Sequence, residues 1–280
     1  MNFTHKLSKW VKWGDQCVLL ADKLISMEIV DSVSPQTVLN MLNKNELKPW
    51  QKKEWCIPEA SAEFVCKMED VLDVYMRPYD EKNPVICVDE SNKQLTKETR
   101  TPIPAEPGKP ERYDTEYERN GTGNIFMACE PLKGKRQIKI TDQRKKTDFA
   151  AFIKELVDVH YPLANKIVLV MDNLNTHSGS SLYETFAPAE AKRILNKLEI
   201  HYTPKHGSWL NMAEIELSHL SRQCLDRRIP DMETFIKETN AWCKKRNESN
   251  ATIDWQFTTA DARIKLKKLY PVIMPLGGQN

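Results

Sequence analysis

Three acidic residues stand where apolar runs give way to polar loops. Asp89 ends "VICVD", Asp172 ends "IVLVMD", and Glu214 lies near the start of "WLNMAEIELSHL". In sheets covered by helices, sites form beyond the carboxyl ends of the strands. Carboxylates converging there from two strands and a helix would make an oxygen-rich pocket. Such a pocket suits Mg2+ or Mn2+ and not zinc, because hard cations prefer oxygen ligands. Two such ions about 4 Å apart can activate an attacking oxygen and stabilise a leaving oxygen in phosphodiester chemistry. Gathered without metal, the same carboxylates would repel one another and their pKa values would rise. Taken singly, either Asp also reads as an ordinary strand-ending turn residue. On the helix, Leu210, Ala213, Leu217 and Leu220 define the inner face, and Glu214 and Glu216 flank it on opposite sides. Helix geometry leaves those two tied. Glu90 should point away from Asp89 if the strand continues.

The elements that would position these residues are legible as periodicities. "PVICVDES" (84–91), "YDTEYERNGTGNIFMACEPL" (113–132) and "KRQIKIT" (135–141) read as strands with Gly-containing turns. "KIVLVMDN" (166–173) and "EIHYTPK" (199–205) read as further strands. Helices are expected over 147–161, capped by Thr147; over 188–198, with Pro188 at the start; and over 208–225, opened by Ser208. Three antiparallel-looking strands followed by alternating helix and strand indicate a mixed α/β sheet covered by helices. "PEASAEFVCKMEDVLDVYMRPYD" (58–80) reads as a helix ended by Pro78, with Phe64, Met68, Val71, Leu72 and Tyr75 inward.

Near the start, "VLLADKLISMEI" (18–29) has helical spacing. It is followed by a short break and a second helix with Ser34 as cap and Pro35 in its first turn. The pair is either a helix-turn-helix, with Gln36, Thr37 and Asn40 facing a DNA groove, or a plain helical hairpin. "KGKRQIKITDQRKK" (133–146) is the densest basic stretch, and Lys135 and Arg136 in it are candidates for phosphate contact, as is solvated surface. "TPIPAEPGKP" (101–110) is an irregular Pro-rich loop.

The totals set bounds. A chain of 280 residues with 29% charged and 40% hydrophobic residues is an ordinary globular protein. Its net charge of +2 is too small to argue for nucleic acid by itself. The 7 Cys include no C-x-x-C pair, which argues against a zinc site or disulfide framework and for a reducing, cytoplasmic setting. No segment is long enough to span a membrane.

Taken together, "CVDESNKQL", "VLVMDNLNTH" and "HYTPKHGSWLNMAEIE", in that order, resemble the DDE transposases of the mariner superfamily. The resemblance is nearest to the bacterial insertion-sequence branch called IS-six-thirty, and matching stretches run from about Leu20 to about Pro271. It implies an RNase H-like mixed sheet flanked by helices, preceded by a small all-α helix-turn-helix region. The family's two Asp fall on Asp89 and Asp172 and its Glu on the last residue of "LNMAE", Glu214, which breaks the tie with Glu216. Activity would be cleavage at transposon ends and strand transfer, with two Mg2+ ions held by Asp89, Asp172 and Glu214 and with Mn2+ able to substitute. Partners would be double-stranded DNA with terminal inverted repeats, a TA target and a second copy of the chain. The setting would be bacterial cytoplasm and nucleoid. Asn173, His177, Lys205 and His206 become candidates beside the metal or the DNA. The Pro-rich loop falls where relatives carry a dimer-clamping loop.

On this reading residues 1–57 are a partial helix-turn-helix region, 58–82 a linker helix, 83–227 the catalytic domain and 228–280 a helical extension. Two departures stand out. Asn92 occupies a position where the family usually has Pro, and "MNFTHKLSKWVKW" does not match the additional helix-turn-helix that relatives carry first. The competing expectation is therefore a truncated, immobile element product that binds DNA or dimerises without transposing.

Overall fold

The computed structural model describes residues 17–18, 20–27, 29–44, 61–174 and 177–271, in two compact units, Met1–Cys56 and Ile57–Asn280. The segment "MNFTHKLSKWVKW" lies outside the described residues. In the first unit, residues 20–26 are helical and a second helix spans Pro35–Lys44. Ser34 starts it as expected, its Oγ accepting from Thr37 N at 3.1 Å. Val38 is buried, whereas Gln36, Thr37 and Asn40 are exposed, with Gln36 Nε2 donating to Asn40 Oδ1 at 3.0 Å.

The second unit is built on a five-stranded sheet in the order β3-β2-β1-β4-β5. The strands are β1 (Val85–Glu98), β2 (Tyr117–Glu130), β3 (Lys135–Thr141), β4 (Ile167–Met171) and β5 (Leu198–Tyr202). β1, β2 and β3 are antiparallel, while β4 pairs parallel with both β1 and β5. The β2–β3 turn depends on Gly134, whose φ of +68° suits a residue without a Cβ.

β1 is longer than the apolar run implied. It continues through Asn92, opposite Asn124, to Glu98, opposite Tyr117, with one irregularity between Gln94 and Thr96. Cross-strand pairing holds this ribbon together beyond the apolar core, so hydropathy alone understates its length. Alternation sorts the strands' residues onto two faces. Ile86, Val88, Leu169 and Met171 pack with Phe149, Phe152 and Ile153 of the helix Lys146–Glu155. Cys87, Cys129, Val168 and Val170 face the helix Ala62–Tyr75 and the start of the helix Met212–Leu220. A third cluster, with Leu95, Ile125, Met127 and Phe235, seats the helix Met232–Glu248.

Two helix starts differ from expectation. Thr147 lies inside the first turn; Lys145 is the cap, its N–H donating to Asp148 Oδ2 at 2.9 Å. Ser208 opens only a short 3-10 turn, Ser208–Leu210. The helix proper begins after Asn211, whose extended backbone and side-chain bond to Ala213 N make it the cap. Among the described residues no helix is long and apolar enough to cross a membrane.

Gly123 lets the Phe235 ring lie against β2, since a Cβ there would stand 2.5 Å from that ring. Gly123→Ala is expected to destabilise by about 1–3 kcal/mol through overpacking. Most of that loss should disappear in a Phe235→Leu background; a double-mutant cycle of urea unfolding midpoints measures both.

Candidate active site

β1 and β4 lie side by side and parallel, paired through Cys87 and Val170. Asp89 stands two residues past that pair on β1, which continues beyond it, and Asp172 directly follows the last residue of β4. Both follow residues of the Cys87 and Val170 face, against which Met212 and Ala213 of the Glu214 helix also pack. Asp172 and Glu214 both lie near enough to Asp89 for their charges to act on it.

The helix is tied there by side chains. Asn211 Nδ2 donates to Val88 O at 2.9 Å, one residue before Asp89, while Asn211 Oδ1 accepts from Ala213 N at 3.1 Å. Tyr75 OH donates to Leu210 O at 2.6 Å, holding the preceding turn against the helix Ala62–Tyr75. Glu214 is then the third residue of its helix and half-buried. Glu216 is 0% exposed and committed elsewhere: its Oε1 accepts from Arg136 Nη2 at 2.8 Å and from Arg246 Nη2 at 3.0 Å. Packing alone therefore separates the two glutamates that helix periodicity left tied.

Burial pushes the Asp89 carboxyl up to about 7. The Glu90 N–H, 2.8 Å from Asp89 Oδ1, works against this rise, and the charges of Asp172, Glu90 and Glu214 add to it. Asp172 Oδ1 lies 2.5 Å from His177 Nδ1, and His177 Nε2 lies 2.5 Å from Glu90 Oε2. Burial alone would lower the His177 pKa, but the bonds and charges of Asp172 and Glu90 overcome it and carry the imidazole to about 9. Both ring nitrogens thus face carboxylate oxygens.

Among the described residues no three acidic, His or Cys side chains already stand together as a metal cage. The donor set nevertheless fits a hard cation. It is all oxygen, Asp172 and Glu214 bring like charge to Asp89, and His177 engages only one of the two Asp172 oxygens.

Asn173, Lys205 and His206 line one cavity of about 270 Å³ beside Asp172, with Ser61, Glu63, Phe64, Lys67 and Pro204. Asn173, Lys205 and His206 are exposed, whereas His177 is buried. The DNA-contact expectation for Arg136 is corrected. The side chain is 1% exposed, and it donates to Glu216 and to Ala251 O. Strand alternation turns it under the helix Met232–Glu248, where only a buried counter-charge makes a guanidinium tolerable. Lys135 also turns to that helix's end, donating to Asn247 O at 3.2 Å and Asn250 Oδ1 at 3.1 Å. Periodicity leaves Glu216 an open alternative to Glu214 and assigns no site role to Glu90, Asn211 or Tyr75. Asn211 alone carried a local signal, as a capping residue at a helix start.

The DDE superfamily endonuclease family model matches residues 84–236, more than half of the chain. The chain belongs to this family. The DDE endonuclease span contains Asp89, Asp172 and Glu214 and the whole five-stranded sheet. No curated protein sequence matches the chain. Among solved structures the chain is similar to Mos1 transposase in a paired-end complex with the left transposon end, at 13% identity and a TM-score of 0.51, over 85% of this chain and 77% of that one. It is also similar to the Mos1 mariner paired-end complex with Mn, at 15% identity and a TM-score of 0.50, over 85% and 75%. At such identities the likeness is one of fold, and it agrees with the RNase H-like sheet.

Glu216→Ala is expected to destabilise by about 3–5 kcal/mol, since it strands two arginine charges around a buried site. Glu214→Ala should leave stability within about 1 kcal/mol of the native protein. Urea unfolding of the two variants separates the structural glutamate from the candidate ligand.

Proposed function

We propose that this DDE endonuclease is a transposase of the IS-six-thirty branch that cuts DNA at transposon ends and joins the freed ends to a target. The observation that supports the reading is that Asp89 feels the charges of both Asp172 and Glu214 within a DDE endonuclease domain. These three carboxylates are the ligands of two Mg2+ ions, for which Mn2+ substitutes. The ions, when bound, supply activation of the attacking oxygen and stabilisation of the leaving one. The chain's own part is to place the carboxylates, with Asn211 and the buried Glu216 pairs setting the Glu214 helix and the Glu90 N–H and His177 orienting the aspartates.

DNA lies across the tip of the sheet, with Asn173, Lys205 and His206 contacting the backbone from their shared cavity. Gln36, Thr37 and Asn40 face a groove of the terminal inverted repeats. A TA dinucleotide is the target. The assembly on DNA is a dimer, clamped by the loop 101–110, in which Ile103, 61% exposed, makes a short bridge to Arg112.

Nicking of supercoiled plasmid with Mn2+ tests the reading. Loss of metal-ion stabilisation, several kcal/mol, predicts at least about a hundredfold slower nicking for Asp89→Asn, Asp172→Asn and Glu214→Gln. Native rates in all three would remove the proposal. Replacing residues 103–110 with a Gly-Ser linker should leave the protein monomeric on terminal-repeat DNA by light scattering, with plasmid nicking retained.

A further inference from the structure

Glu90 is placed to act on both aspartates at once. Its backbone N–H donates to Asp89 Oδ1 at 2.8 Å. Its side chain, 1% exposed, turns to the opposite face of the sheet, where Glu90 Oε2 stands 2.5 Å from His177 Nε2. His177, fully buried, reaches around the strand ends to Asp172 Oδ1 with its other nitrogen, also at 2.5 Å. The ring has little freedom. Phe149 lies against it with centroids 4.7 Å apart, and Tyr202 OH donates to the His177 carbonyl at 3.0 Å. Arg144 Nη1, 3.5 Å from Glu90 Oε1, covers the remaining oxygen.

We infer that Glu90 is a positioning residue for the metal site. It holds the His177 ring at the angle that fixes the Asp172 carboxylate, while its own amide fixes Asp89. A buried carboxylate is costly to keep unless it is paired, so a residue with no task beyond filling space would be apolar here, as its face-mates Ile86 and Val88 are. The chain Glu90–His177–Asp172 has the form by which a carboxylate orients a histidine next to a metal ligand, with the histidine here one step further from the ion. The inference rests on Asp172 being a ligand, as proposed above.

The test is Mn2+ binding by titration calorimetry without DNA, together with the Mn2+ dependence of plasmid nicking, on the full chain. Glu90→Ala should weaken Mn2+ binding about tenfold. It should raise the Mn2+ needed for half-maximal nicking by a similar factor, with much of the rate recovered at saturating Mn2+. Glu90→Gln keeps an acceptor for the ring and should stay within about threefold of native. Glu90→Ala should add nothing to His177→Ala, because Glu90 reaches Asp172 only through that ring. Native Mn2+ affinity in folded Glu90→Ala, or losses that add in the double variant, would overturn the inference. Should Glu90→Ala not fold, Glu90→Gln and His177→Ala carry the test, and native Mn2+ affinity in His177→Ala overturns it. Asp172→Asn is the control. If it binds Mn2+ normally, the ligand assignment fails; if it does not while Glu90→Ala does, only the positioning role fails.

Discussion

Like charges have to be held where they repel one another. Asp89 lies within the fields of Asp172 and Glu214, and burial, with their charges adding to it, carries Asp89 to about 7. Such a group stays together only if each acid is gripped from outside the cluster. Asp89 takes the Glu90 amide, Asp172 takes His177, and Glu214 rides on a helix whose cap is bonded to β1 at Val88. The sheet contributes the rest by pairing β1 just before Asp89 in parallel with β4 just before Asp172. Much of the surrounding architecture is readable as support for this arrangement.

The Glu214 helix shows how one short segment serves two purposes. Its first turn is aimed at the strand tips by Asn211, and Tyr75 secures the turn before it. Two residues beyond Glu214, Glu216 turns into the protein and meets Arg136 and Arg246. These ion pairs join the helix to β3 and to the helix Met232–Glu248, so rotation of Glu214 away from the site would break three charge-assisted bonds. The helix Met232–Glu248 is therefore a structural layer of the domain, as is Ala62–Tyr75 with its six buried residues.

The basic stretch 133–146 illustrates how charge count and charge use differ. Arg136 is inside, Lys135 sits at a helix end, and Lys146 pairs with Glu184. Arg144 is half-exposed and leans on Glu90. A run of cations in sequence is thus divided among buried pairing, helix-end contacts and surface, according to which side of β3 and its following turn each residue occupies.

By itself, the sequence determined the local physics. Alternation and apolar runs marked the five strands, Ser34 and Pro188 marked helix starts, and the acids at 89, 172 and 214 stood out because each closed an apolar run or opened a helix. The order of motifs carried the family resemblance. Tertiary structure alone decided what depends on contacts between distant residues. Strand order put Asp89 beside Asp172 across 83 positions' separation in the chain. Packing distinguished Glu216 from Glu214, drew Arg136 under a helix, and set Glu90 and His177 against each other from opposite ends of that same interval. The physical reason is that periodicity reports which side of its own element a residue occupies. The identity of its neighbour is settled only when the elements close on one another and every buried charge must find its counter-charge.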